Sequence, residues 1–259
     1  MEKVISRLGN SDLEINCILQ ARMGSKRLPG KVLLEIDDSQ KIIDFIIKQL
    51  ENTKINELVI AIPDNQEDDI LYNHLENLKI NCFRGSTFDV LDRYYQCANH
   101  FSFKHIMRLT GDNPLIDPNI VDRAIDNYSS TECDYLTNSL QRTFPYGTEI
   151  EIFTFSALQT AWKYAKKNSE REHVTPYFYN NPEKFKICHF TQTTDQSKYR
   201  YTVDQKEDLL LVRQIVSSIK KRPIITQDAI ELLDSNPEMA KINSSIIPNE
   251  GYLASLEED

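Results

Sequence analysis

The sequence predicts an α/β fold: a mainly parallel, doubly wound sheet with helices on both faces. Short apolar runs alternate strictly with amphipathic segments from residue 15 to residue 137. The segments between runs are long enough for crossovers, which join parallel strands. The first run, Ile15-Asn16-Cys17-Ile18-Leu19, feeds a loop that carries Gly24 and Gly30 among basic residues. In sheets of this kind ligands sit at the carboxyl ends of the strands.

Residues 1–12 read as a short arm. The first strand covers Ile15–Gln20 and the basic loop follows. Ile43, Ile46, Ile47 and Leu50 have helical spacing, which predicts a helix over 41–53. Residues 57–62 form a second buried strand, closed by Pro63-Asp64. A helix over 67–78 turns Ile70, Leu71, Leu75 and Leu78 inward, and a third strand over 80–84 ends at Gly85. The next helix, 87–100, buries Val90, Leu91, Tyr94 and Ala98. A fourth strand at 104–109 runs into Thr110-Gly111-Asp112-Asn113-Pro114. Asp117-Pro118 is a helix start, an N-cap followed by proline at the first helical position. That helix reaches Tyr128, and another strand covers 134–137.

After Thr137 the pattern changes. Residues 147–153 alternate polar and apolar as an antiparallel strand does. Helices follow over 155–167 and, from a capping box at Ser169–Glu172, through Tyr179. Strands are expected at 184–191 and 199–203, then an amphipathic helix over 207–220 with Leu209, Val212, Val216 and Ile219 on one stripe. The tail is helical in part and ends acidic. The chain reads as one domain, 1–259, with 138–198 as an insertion that serves substrate binding or dimerisation.

The composition is that of an ordinary globular protein, 40% hydrophobic and 27% charged. No apolar run approaches a membrane span, and residues 1–14 lack the apolar core of a signal peptide, so a cytoplasmic location without membrane partners is expected. The five cysteines fall at no zinc-ligand or redox spacing and read as reduced thiols. A net charge of −9 disfavours nucleic acid as a partner. Against that acidity, Arg22, Lys26, Arg27 and Lys31 crowd one loop. That is how a protein gathers charge for a small anion, although a solvated basic turn has the same composition.

The segments QARMGSKRLPGK from Gln20, FRGSTFDVLDRYYQCA from Phe83, RLTGDNPLID from Arg108, GTEIEIF from Gly147, REHVTPY from Arg171 and YTVDQKEDLLLV from Tyr201 occur in this order. Together they resemble the cytidylyltransferase family of spore coat polysaccharide biosynthesis protein F, which is similar to the CMP-Kdo and CMP-sialic acid synthetases. The resemblance covers about residues 14–216. It implies a Rossmann-like, glycosyltransferase-A type sheet with a small insertion lobe, Mg²⁺ as cofactor, CTP and an acidic sugar as substrates, pyrophosphate as product, and a homodimer. It implies that Arg22 and Lys31 hold the triphosphate with Ser25 and Arg27 assisting, in a loop that includes Ala21 and Gly24. The segment Gly85, Ser86, Asp89 and Arg93 would seat cytosine and ribose. Asp112 would bind the metal and Asp204 would be its second carboxylate.

Several of these residues have plainer readings. Asp112 also suits a turn before Pro114, and Asp204 also suits the N-cap of the following helix with Glu207 as its partner. Lys26 is equally a solvated neighbour, and Arg84 and Arg93 equally make structural salt bridges. Glu149 and Glu151 share one side of their strand and face either the acceptor or solvent. His173 is either an acceptor contact or a structural histidine. Trp162, Tyr164 and Tyr177-Phe178-Tyr179 read as packing or dimer contacts. The middle of the chain departs from the sialic acid and Kdo enzymes, so another nucleotide or acceptor on the same fold, or a non-catalytic nucleotide-binding protein, are the alternatives.

Overall fold

The computed structural model describes residues 13–259; the expected arm at 1–12 lies outside the described residues. In chain order the elements are β1 (Ile15–Gln20), α1 (Ile42–Leu50), β2 (Leu58–Pro63), α2 (Asp69–Asn77), β3 (Cys82–Gly85), α3 (Val90–His100), β4 (His105–Thr110), α4 (Pro118–Ser129) and β5 (Tyr135–Thr137). Then come β6 (Glu151–Thr154), α5 (Phe155–Tyr164), α6 (Asn168–His173), α7 (Pro176–Asn180), β7 (Ile187–His189), α8 (Lys206–Ser218), α9 (Thr226–Ser235), α10 (Pro237–Ala240) and α11 (Glu250–Leu256).

The strands form one sheet in the order β3-β2-β1-β4-β6-β5-β7. The first four are parallel neighbours, as the alternation requires. β6 pairs antiparallel with both β4 and β5, and β7 is parallel to β5. Residues 138–198 thus contribute two strands, β6 and β7, to the far half of the sheet.

Strand periodicity divides the core. Ile15, Cys17, Leu19, Ile60 and Met107 pack on one face with α1, α4 and α8, while Ile18, Val59, Ala61 and Ile106 pack on the other with α3, α5 and α7. Because both faces are covered, the central strands are mostly apolar, with Asn16 in β1 and Arg108 in β4 among the polar exceptions.

Some expectations needed correction. Residues 199–203 are not a strand. Their backbone bonds run to two loops, from Tyr201 N–H to the Tyr146 carbonyl (2.6 Å) and from Val203 N–H to the Asp112 carbonyl (2.7 Å), and no ladder forms beyond the single Tyr146–Arg200 bridge. The helix expected through Tyr179 is two short ones. Pro176 cannot continue α6, and Val174 takes a left-handed φ of 72° at the break. The capping carboxylate there is Glu170, which accepts from the Lys166 N–H at 3.2 Å. On α2, Leu71 and Leu75 are buried, but Ile70 and Leu78 are exposed. Tyr177 and Phe178 are buried, whereas Tyr164 is exposed. No helix among the described residues is long and apolar enough to cross a membrane.

Candidate functional site

The loops after β1 and β4 meet at the carboxyl edge of the sheet. Gly111 N–H donates to the Gln20 carbonyl at 2.8 Å. A side chain at Gly111 would come within 3.1 Å of Ala21 Cβ and of that carbonyl, so glycine permits the approach. The basic loop is held from inside and from outside. The Met23 carbonyl accepts from Ser25 and Gly30 N–H groups, and buried Asp68 accepts from Met23 N–H at 2.7 Å. Gly30, at φ 67°, turns the chain into the single helical turn Lys31–Leu33. Lys31 therefore points back under the loop rather than out to solvent.

These loops wall a cleft of about 600 Å³. At one end Lys31 Nζ donates to Asp112 Oδ2 (3.0 Å), Asp204 Oδ1 (2.9 Å) and the Val203 carbonyl (2.9 Å). Arg27 also reaches Asp204 Oδ1 at 3.0 Å, and Arg200 reaches Asp204 Oδ2 at 3.2 Å and Asp208 Oδ1 at 2.9 Å. Burial works against the Lys31 ammonium, but Asp112 and Asp204 outweigh it and raise its pKa. Burial likewise pushes the Asp204 carboxyl up, yet Lys31, with Arg27 and Arg200, pulls it down to about 2. Both groups are firmly charged at neutral pH.

Asp204 does not cap α8. The helix starts from Gln205, and Asp208 accepts from the N–H groups of Asp204 (3.0 Å) and Gln205 (3.1 Å). That leaves the Asp204 carboxylate free to face the cleft. Asp112 likewise turns its Oδ2 to Lys31, with Thr110 bonded to its other oxygen.

Arg22, Arg93 and Arg108 also line the cleft, with His173 among them. Arg93 is 2% exposed and donates to the Ser86 carbonyl at 2.9 Å. Arg108 pairs through NH1 with Glu151 at 2.6 Å, and Tyr135 takes the other Glu151 oxygen. Burial, and then the charges of Arg108 and Arg22, push the His173 pKa down to about 4, so its imidazole is neutral at pH 7. Gln20 Oε1, Arg93 Nε, Arg108 Nε, Asn113 Oδ1 and His173 Nε2 are buried along this cleft without a partner in the protein. Buried polar groups are nearly always paired, so unmatched ones gathered at one cleft mark it as a place where something polar binds.

Ala21, Arg22, Ser25, Lys26, Arg27, Lys31, Asp112, Glu149, His173 and Asp204 all line this cleft. Gly24, in the same loop, packs near Glu67 outside it. Gly85, Ser86 and Asp89 also lie outside its wall. Both Asp89 oxygens are engaged, one capping α3 through Asp92 N–H (2.9 Å) and one bound to Arg171. Arg84 pairs with Asp69 at 2.7 Å. Glu149 is held by Arg142 (2.6 Å) and Asn113 (3.2 Å), and Glu151 sits behind Arg108 rather than in the cleft. Arg108, Arg200 and the α11 residues Glu250 and Tyr252 also line the cleft and were not singled out from sequence. For Arg108 the available signal was a charge inside the buried strand IMRLT.

A cytidylyltransferase family profile matches residues 16–236. The chain is 33% identical over 237 residues to the spore coat polysaccharide biosynthesis protein SpsF of Bacillus subtilis, covering 88% of this chain and 97% of that one. A cytidylyltransferase structure from Leptospira borgpetersenii superimposes with a TM-score of 0.85 at 36% identity, covering 91% of this chain and 99% of that one. A CMP:2-keto-3-deoxy-manno-octonic acid synthetase complexed with CTP shares the fold, with a TM-score of 0.62 at 17% identity and coverage of 79% and 99%. The chain belongs to the cytidylyltransferase family of nucleotidyltransferase enzymes.

Proposed function

We propose that this enzyme transfers CMP from CTP to the hydroxyl of an acidic sugar, with Mg²⁺ and with release of pyrophosphate, in the assembly of a surface polysaccharide. The observation that carries the reading is the meeting of Asp112 and Asp204 on one point, marked by Lys31 Nζ at 3.0 and 2.9 Å. Mg²⁺ favours one or two carboxylates completed by phosphates and waters, and two converging aspartates are such a donor set. Bound there, Mg²⁺ would neutralise phosphate charge and fix the triphosphate for in-line attack.

The chain's own residues supply the rest. Arg22, Arg27 and Lys31, with the Ser25 hydroxyl, face the triphosphate and take up charge that grows on the leaving pyrophosphate. With Asp112 and Asp204 engaged by a metal, the Lys31 ammonium would be available to phosphate oxygens. Arg108 offers its unpaired Nε–H to the acceptor's carboxylate, with neutral His173 nearby. The polysaccharide context follows the name of the Bacillus subtilis relative, and the acidic acceptor follows the synthetase that shares the fold.

The test is pyrophosphate release with Mg²⁺, each nucleoside triphosphate, and a panel of sugar acids that includes 3-deoxy-manno-octulosonate and sialic acids. Release with CTP and one sugar acid is expected. CTP binding without release for any acceptor would favour a non-catalytic nucleotide-binding protein.

A further inference from the structure

Residues 249–259 follow the family match at 16–236 and lie across the cleft mouth. Asn249 takes a left-handed φ of 61°, which folds α11 back toward the basic loop. One anchor is Glu250, whose Oε2 accepts from Arg27 NH1 and from Gln205 Nε2, each at 3.2 Å. The other is Asp259, which accepts from Ser169 N–H at 2.8 Å and from Ser169 Oγ at 2.6 Å. Between them the Tyr252 ring meets His173 edge-on, with centroids 5.2 Å apart.

The segment reads NEGYLASLEED, with acids at Glu250, Glu257, Glu258 and Asp259 and no lysine or arginine. A run of like charge normally extends into solvent. Here it is folded against a cationic cleft, and its first carboxylate sits on an arginine of the basic loop. Metal-bound CTP is also an anion. It would compete with Glu250 for Arg27 NH1, and it would meet the repulsion of Glu258, which also lines the cleft. The Arg27–Glu250 pair is half exposed, with side chains 37% and 37% accessible, so it is weak enough to exchange.

We propose that residues 249–259 are an autoinhibitory lid, a segment of acidic chain that occupies part of the nucleotide's anion seat and is displaced when metal-bound CTP enters. The proposal rests on the nucleotide reading above. A lid that closes over bound substrate would make the opposite prediction, because it would be held more tightly by the ligand.

The experiment compares MgCTP binding by calorimetry for the full chain, a chain ending at Pro248, and Glu250→Gln in the full chain. The shortened chain is expected to bind about tenfold more tightly, and Glu250→Gln about threefold. MgCTP is also expected to speed chymotryptic cleavage after Tyr252 in the full chain. Equal or weaker binding by both variants, or protection of the Tyr252 bond by MgCTP, overturns the lid while leaving the nucleotide site standing. If the shortened chain does not fold, Glu250→Gln and the cleavage rate decide alone. Absence of CTP binding in all three, with native circular dichroism, overturns the nucleotide reading and the lid with it.

Discussion

Lys31 Nζ lies 2.9 Å from Asp204 Oδ1, joining the loop after β1 to the chain just before α8. Asp112 completes the contact from the loop after β4, at 3.0 Å from the same nitrogen. A single ammonium thus holds together two carboxylates that would otherwise repel. A divalent cation placed between them would do the same with more charge, which is what the proposed metal site requires.

Replacing Asp112 with asparagine keeps the size and the bond from Thr110 but removes the charge. Turnover is expected to fall by at least ~100-fold while stability moves by less than about 1 kcal/mol. Steady-state pyrophosphate release and a thermal melt are the two measurements. Normal turnover in Asp112→Asn would remove this residue from the proposed metal site.

Lys31→Ala makes the opposite change. Asp112 and Asp204 lose their shared cation, although Arg27 and Arg200 still face Asp204. The apo protein should lose about 2 kcal/mol, less than for a fully buried pair because the carboxylates are 28% and 24% accessible. CTP affinity should fall at least ~10-fold. Mg²⁺ alone should raise the melting temperature of the variant more than that of the wild type, since it fills the place the ammonium left. No difference in the Mg²⁺ response would count against two carboxylates sharing one ion.

The parallel half of the fold was legible because its information is local. Ile15–Gln20 and the strands near 58–63 and 105–110 are apolar runs whose crossovers dictate parallel pairing, and Gly111-Asp112 could be placed at a strand end from that alone. The other half depends on pairings that no local pattern records. β6 inserts between β4 and β5, and Tyr199–Val203, which alternates like a strand, bonds only to loops. Asp204 was ambiguous because DQKE also suits a cap; the cap lies one residue further on, at Gln205 with Asp208 as its partner, and leaves Asp204 out of it. The acidic tail carried no assignment from sequence, because nothing in NEGYLASLEED announces that Arg27 and Ser169 receive it.

Arg108 and Glu151 should be separable by a paired substitution. Arg108→Ala strands a buried carboxylate and is expected to cost about 3–5 kcal/mol. Adding Glu151→Gln to Arg108→Met removes both charges, while the amide oxygen that replaces the carboxylate can still accept from Tyr135, so most of that stability should return. The double variant should then bind CTP normally but show a KM for the sugar acid raised at least ~10-fold. An unchanged acceptor KM would return Arg108 to a purely structural role.

His173 sets the expected response to acid. Its pKa is about 4 when folded, below the ordinary histidine value of 6.5, because burial and the charges of Arg108 and Arg22 oppose protonation. Below pH 6.5 the unfolded chain therefore takes up a proton that the folded chain refuses. Stability is fully present above that pH and declines as the pH falls toward 4, where the folded protein begins to bind the proton too and the loss levels off. The total is at most about 3 kcal/mol, from roughly 1.4 kcal/mol per pKa unit. Urea melts of the wild type and of His173→Gln between pH 7 and pH 4 measure it. The variant should lose this part of the slope, and parallel slopes in the two proteins would show that the imidazole is not held neutral by burial and the arginines around it.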